Sequence, residues 1–176
     1  VPPQSSALQK VFADSIKLLE IQKPVRLAVC PKVTSPMMTG IFSPVVLLPR
    51  EDYDEETLRF ILRHELVHLK RRDILYKQLM LLATAVNWFN PLVWLMAREA
   101  NKDIEISCDD AVVRHMSKEQ RRQYAEAILS CIQTGMGGVP ALTTHFYGGK
   151  KTLKKRFQNL FDLRRKRAGL AALAIV

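Results

Sequence analysis

Apolar residues recur with a helical period at the start of the chain. In SSALQKVFADSIKLLEIQ, residues 5–22, Leu8, Val11, Phe12, Ile16 and Leu19 fall on one face. Ser5 or Ser6 is placed to cap this helix, and Pro24 ends it. The pattern then alternates over Val25–Cys30, which predicts a strand. Met38–Leu48 predicts one or two short strands broken at Pro44. Proline removes a ladder donor, so this stretch is expected at a sheet edge. Helical period returns after Asp52 or Asp54, either of which can cap, and runs through Arg72. Glu55 and Glu56 lie in its first turn, where a carboxylate meets unpaired N–H groups.

Residues 79–97, LMLLATAVNWFNPLVWLMA, are nearly all apolar and numerous enough to span a bilayer. Asn87, Asn90 and Pro91 interrupt the run. Asn and Pro favour a turn, and a residue preceding proline avoids the helical region. The prediction is a long helical hairpin: one arm to about Val86, a turn at NWFNP, and a second arm to about Val113. Two readings stay open, a hairpin buried in the core and one partly embedded in a membrane near residues 74–107. Ser117-Lys-Glu-Gln120 is a capping box opening a helix to Gln133. Residues 135–149 hold five of the seven glycines, Pro140 and no Asp, Glu, Lys or Arg, so they predict a flexible, extended connector. Thr152–Leu163 is a basic amphipathic helix with Leu153, Phe157, Leu160 and Phe161 on one side; its basic face suits anionic headgroups. The sum is an α+β fold, predominantly helical, with a small N-terminal sheet.

Composition narrows the function. The 176 residues, 48% hydrophobic and 25% charged, suffice for one domain with a real core. The net charge is +10, but residues 150–167 carry nine Lys or Arg against Asp162 alone. The body is therefore nearly neutral, and no direct nucleic-acid contact is expected. Cys30, Cys108 and Cys131 form no CxxC pair, which fits a reducing compartment with free thiols. The first residues lack the basic and apolar regions of a signal peptide. At the other end, residues 164–176, RRKRAGLAALAIV, place four consecutive cations before an apolar run. That is the positive-inside pattern of a membrane helix leaving the cytoplasm. The domain proper is expected over residues 1–163.

The chemistry is concentrated in RHELVHLKRR, residues 63–72. His64 and His68 stand one turn apart on a helix, the spacing for two imidazoles to share a tetrahedral Zn²⁺. Glu65 is about 100° round the helix from His64 and about 60° from His68. It can hang beside the ion without ligating it and act as general base. The apolar flanks Leu62, Leu66, Val67 and Leu69 argue that this helix is largely buried. A catalytic zinc needs a third protein ligand, and Glu105 in NKDIEISCDDAVV is the best candidate, on the returning hairpin arm. Asp109, four residues on and on the same face, can accept the second ring N–H of a ligating histidine. Cys108 is offset from that face and reads as packing; Asp103 and Asp110 are weaker carboxylate candidates.

HELVHLKRRD followed by EISCD, with LLP before the helix, resembles the metallopeptidase domain of the BlaR/MecR-type β-lactam sensor-transducers, over roughly Pro36 to Leu163. The HExxH alone is shared with many zincins; HExxHxxxRD together with ExxCD is far more specific. The resemblance implies a gluzincin-like domain on the cytoplasmic side of a bacterial membrane protein. One zinc would be held by His64, His68 and Glu105, with Glu65 as base. It also implies autoproteolysis, removal of a transcriptional repressor, and a sensor domain outside this segment, since no S-x-x-K acylation motif is present. Membrane lipids and a protein substrate are the expected partners, and a homo-oligomer stays open.

Within the connector, self-cleavage is expected in Thr143–Tyr147, with His145–Phe146 as the favoured bond. A substrate is expected to lie extended along the edge provided by Met38–Leu48. Tyr124, His115 and His145 are candidates to stabilise the tetrahedral oxyanion. Two other readings compete: a membrane quality-control or CAAX-type zinc protease, and a non-catalytic transducer or DNA-binding regulator using the basic tail.

Overall fold

The structure, a computed structural model, describes residues 2–135 and 149–161. Helix α1 (Ser6–Leu18) is capped by Ser5, whose hydroxyl accepts the Leu8 N–H at 3.3 Å. Three short strands follow: β1 (Arg26–Val29), β2 (Met37–Thr39) and β3 (Val45–Leu48). The chain then turns helical, with α2 (Glu55–Arg71), α3 (Asp73–Val86), α4 (Pro91–Val113), α5 (Lys118–Gly135) and α6 (Gly149–Phe161). The molecule is thus mainly helical with a small sheet, as the pattern predicts.

The sheet order is β1-β3-β2, with β3 parallel to β1 and antiparallel to β2. This corrects the expectation that Met38–Leu48 forms an edge throughout. Only its β2 part lies at an edge. Pro44 stands just outside β3 and removes no donor from the ladder, so Val46 and Leu48 can be fully buried at the centre. At Gly40 the backbone has φ +85°, and an added Cβ would lie 2.4 Å from the Ser43 carbonyl oxygen, so glycine is required in this turn.

Helix α2 is the spine. Asp54, one of the two expected caps, accepts the Thr57 N–H at 2.8 Å. One side of α2 packs Leu58, Ile61, Leu62 and Leu66 against Leu8, Val11, Val46 and Leu48. Its other side meets a second cluster through Val67, formed with Cys108, Val112, Tyr124 and Leu160 from α4, α5 and α6. A central helix buried on two sides cannot carry solvated histidines. Arg72 ends α2 in the left-handed region (φ 61°) and its carbonyl accepts the Leu75 N–H, so α3 starts with no loop between.

The hairpin of α3 and α4 has the expected arms, with Asn90 capping α4 through the Leu92 N–H and Pro91 in its first turn. It is not buried in the core: large apolar side chains stand exposed along its length. No helix among the described residues is long and apolar enough to cross a membrane. The capping box at Ser117 forms as read, with Gln120 N–H to Ser117 Oγ at 3.2 Å and Ser117 N–H to Gln120 Oε1 at 3.0 Å. Helix α6 is amphipathic as its pattern predicts for Phe157 and Leu160, but not for Arg156 and Phe161. It docks in the second cluster through Leu160 and Phe157, and Arg156 on its apolar side is 4% exposed, while Phe161 faces outward. The expected cleavage segment with His145 and Phe146, and the basic and apolar end at 164–176, lie outside the described residues.

Candidate metal centre

His64 and His68 turn their Nε2 atoms toward each other, 3.1 Å apart. Glu105 Oε2, from α4, is 3.7 Å from His64 Nε2 and 3.8 Å from His68 Nε2. The far ring nitrogens are both engaged. His68 Nδ1 is 2.7 Å from Asp73 Oδ2. His64 Nδ1 is 2.7 Å from the Tyr124 hydroxyl, which itself donates to Asp109 Oδ1 at 2.8 Å. Tyr124 can therefore accept from His64 only if Nδ1 carries the proton, and Asp73 makes the same demand of His68. Both Nε2 atoms are then bare acceptors facing each other beside a carboxylate oxygen. Arg156 Nη1 lies 3.7 Å from the same Glu105 oxygen and Lys77 bonds the other, so the carboxylate is already partly neutralised. The two facing Nε2 atoms have no donor between them, and a cation would satisfy both. Tetrahedral zinc bonds of about 2.0–2.1 Å would place ligand atoms about 3.3 Å apart, close to this triangle.

Behind the triangle lies a chain of polar groups. Arg156 donates to Asp109 through Nε (2.7 Å) and Nη2 (2.9 Å), a bidentate pair with both residues buried. Asp109 is 3.4 Å from His64 Nδ1, so its expected support of a histidine runs mainly through the closer Tyr124 hydroxyl. Tyr124 is wholly buried and committed on the Nδ1 side of His64, which removes it from the oxyanion candidates. His115 lies in the exposed turn after α4, away from the triangle, and His145 is outside the described residues. Asp103 is exposed. Lys77 from α3 reaches Glu105 Oε1 at 3.3 Å.

Cys108 sits nearer the site than its offset suggested. Its Sγ is 3.7 Å from His64 Nδ1 and 3.5 Å from the His64 carbonyl oxygen, and one ligand atom each from His64, His68 and Cys108 can be chosen within 4.8 Å of one another.

The electrostatics follow from enclosure. Burial pushes the Glu65 carboxyl up, partly opposed by His68. Burial also opposes the charge of Glu105, but His64, His68 and Lys77 around it together hold it well below the usual carboxylate range. Burial, then the nearby Glu105 and Asp109 charges, keep the Cys108 thiol well above its ordinary value. A cleft lined by Phe60, Ile61, His64, Glu65, Ile128 and Cys131 opens beside the triangle.

Sequence reasoning missed Asp73, Tyr124 as a partner of His64, and Arg156. Asp73 was within reach, as the final residue of HELVHLKRRD. Arg156 was marked by its place between Leu153 and Leu160, on the apolar side of its helix.

A sequence model of the BlaR1 peptidase M56 family matches residues 2–160. The chain belongs to this family. Among M56 relatives, it is 36% identical over 124 residues to "Regulatory protein BlaR1" of Bacillus licheniformis, which covers 69% of this chain and 21% of that protein. It is 26% identical over 118 residues to "Methicillin resistance mecR1 protein" of Staphylococcus aureus, covering 65% and 20%. To "Regulatory protein BlaR1" of Staphylococcus aureus it is 27% identical over 127 residues, covering 70% and 22%. The chain therefore spans about one fifth of the length of these M56 relatives.

Proposed function

We propose that the chain is the zinc endopeptidase unit of a membrane-associated signal transducer, zincin-like in its catalytic half. The observation that carries this is the convergence of His64 Nε2, His68 Nε2 and Glu105 Oε2 at 3.1–3.8 Å, with each histidine's other nitrogen engaged. His64, His68 and Glu105 would hold one Zn²⁺. When bound, the ion acts as a Lewis acid toward the scissile carbonyl and a water molecule. Asp73 and the Tyr124–Asp109–Arg156 chain fix the ring orientations. Glu65, beside the triangle and off it, takes a proton from the attacking water and passes it to the leaving amine. The exposed edge of β2 offers backbone groups to an extended substrate.

The family is one of peptidases, which favours this reading over a DNA-binding regulator. The relatives' names speak of regulation and methicillin resistance. The substrate in this reading is a transcriptional repressor, with the chain's own 135–149 segment, at His145–Phe146, as a second. The catalytic domain would face the cytoplasm of a bacterial cell membrane, and the sensor would lie outside this segment.

The test is mass spectrometry of cleavage products, with metal content measured in parallel, for wild type against Glu65→Ala. The variant should keep its fold and about one zinc per chain, and lose cleavage by a factor on the order of 10²–10⁴. Cleavage by Glu65→Ala near the wild-type rate would remove Glu65 as base.

A second reading takes Cys108 as third ligand in place of Glu105. Its sulfur lies against the Nδ1 edge of His64, which Tyr124 already occupies, so Glu105 is favoured. Zinc content of Glu105→Gln against Cys108→Ser decides between them: the true ligand's variant loses most of the metal.

A further inference from the structure

The free end of the α3–α4 hairpin has no polar face. Twelve of the eighteen large apolar side chains exposed among the described residues lie between Leu75 and Met96, with Leu81, Leu82, Val86, Trp88, Phe89 and Leu92 each more than 60% exposed. Residues 78–97 contain no Asp, Glu, Lys, Arg or His. A hairpin in water keeps one polar side; one that is apolar all round is made for a surrounding that is itself apolar. Three of its polar side chains are turned back on its own backbone. Thr84 Oγ1 donates to the Met80 carbonyl (2.8 Å), Asn87 Nδ2 to the Ala83 carbonyl (2.9 Å), and Trp94 Nε1 to the Trp88 carbonyl (2.9 Å). At the turn, the Asn90 N–H bonds the Asn87 carbonyl and Asn90 Oδ1 accepts the Leu92 N–H. In water none of these self-bonds is required; in hydrocarbon each is, because nothing outside can supply them.

We infer that this hairpin inserts, tip first, into one leaflet of a lipid bilayer, and so seats the metal centre at the headgroup surface. From Lys77 to Val86 the helix advances about 14 Å. That is about half of a hydrocarbon core of about 30 Å, one leaflet and no more. A collar of cations marks where the hairpin leaves the lipid: Arg71 and Arg72 on one arm, Arg98 on the other. They face the phosphates of anionic lipid as the apolar tip enters. Asp73 and Lys77, which touch His68 and Glu105, lie at the same level of the hairpin but turn inward to the site. A cleavable segment would then meet the site close to the membrane plane.

The inference deepens the membrane association proposed above and does not depend on catalysis. The chain contains two tryptophans, Trp88 and Trp94, both in this hairpin, so intrinsic fluorescence reports on it alone. The chain is reconstituted into phosphatidylcholine–phosphatidylglycerol vesicles, with and without bromine along the acyl chains. The expected result is a shift of emission to shorter wavelength and loss of most of it to brominated lipid. Leu82→Asp combined with Leu92→Asp should abolish the quenching while circular dichroism stays unchanged. Equal quenching of wild type and variant overturns the inference, as does a lack of quenching in the wild type. So does emission already at short wavelength in protein free of lipid and detergent, which would mean that a second copy or another part of the chain covers the hairpin. Zinc content and peptide cleavage are read on the same samples. Quenching without cleavage breaks the peptidase reading alone, and cleavage without quenching breaks this one alone.

Discussion

Helix α4 exposes Leu92, Trp94, Leu95 and Met96 in its first two turns, then buries Cys108 and Asp109 completely in its last two. The same element thus places oily side chains outside and a carboxylate inside. Among the described residues the first half packs mainly on α3, so its outward residues are left uncovered. The second half is surrounded by α2, α5 and α6, and every charge it brings in meets a partner: Asp109 meets Arg156 and Tyr124, and Glu105 meets Lys77 and the two histidines. The difference teaches that burial along a helix is set by its neighbours. Polarity decides only what those neighbours must provide.

The sharpest way to break this comparison is to remove one partner in the buried half. Asp109→Ala leaves the Arg156 guanidinium buried without its carboxylate. The expected loss is roughly 3–5 kcal/mol of stability, read from the urea midpoint. Zinc affinity should also fall about 10–100-fold, because Tyr124 loses the group that orients it toward His64. Adding Arg156→Met should recover much of the stability and none of the affinity, which separates charge pairing from ring orientation.

Next in size, Ile104→Ala in the same half should cost about 2–5 kcal/mol by the lost burial and the cavity left behind. A cost below that range would mean the surrounding helices collapse onto the gap. Asp73→Ala sharpens the contrast from another side. It removes support from His68 with Arg71 still partly exposed to water, so no buried cation is stranded. Metal affinity should drop about 10–100-fold, by competition with a chromophoric chelator, with little change in the urea midpoint. The smallest effect belongs to the exposed half. Trp94→Gln should shift stability in solution by no more than about 0.5 kcal/mol. A larger shift would show that the hairpin tip packs against something in the folded protein.

The two halves were unequally legible in the sequence. Caps placed the starts of α1, α2, α4 and α5 well, because Ser5, Asp54, Asn90 and Ser117 make local bonds that depend on a few neighbouring residues. The end of α1 was misplaced: the helix stops at Leu18, with Glu20 in the left-handed region, well before Pro24. That His64 and His68 share a face with Glu65 beside them was legible from local pattern too, since helical spacing fixes it, whereas the approach of Glu105 depends on how the hairpin returns against α2. Strand order was not legible. Whether Val45–Leu48 is edge or centre depends on its pairing in parallel with β1, from which β2 and its flanking turns separate it in sequence. Tyr124 and Arg156 come from helices remote in sequence, and Arg156 was masked further by its cationic neighbours. In a run such as KKTLKKRFQNL, one buried cation looks like the solvated ones until its position relative to Leu153 and Leu160 is counted.

The junction at Arg72 has a mechanical meaning. Since α2 passes into α3 through a single left-handed residue, with no loop to absorb movement, the two helices form an elbow without slack. Asp73 lies immediately past the joint and grips His68 immediately before it. Lys77, one turn further, holds Glu105 on the returning arm. The hairpin is therefore the handle of a lever whose fulcrum is the metal site. A change in its tilt would reach His68 through Asp73 and Glu105 through Lys77 at the same time.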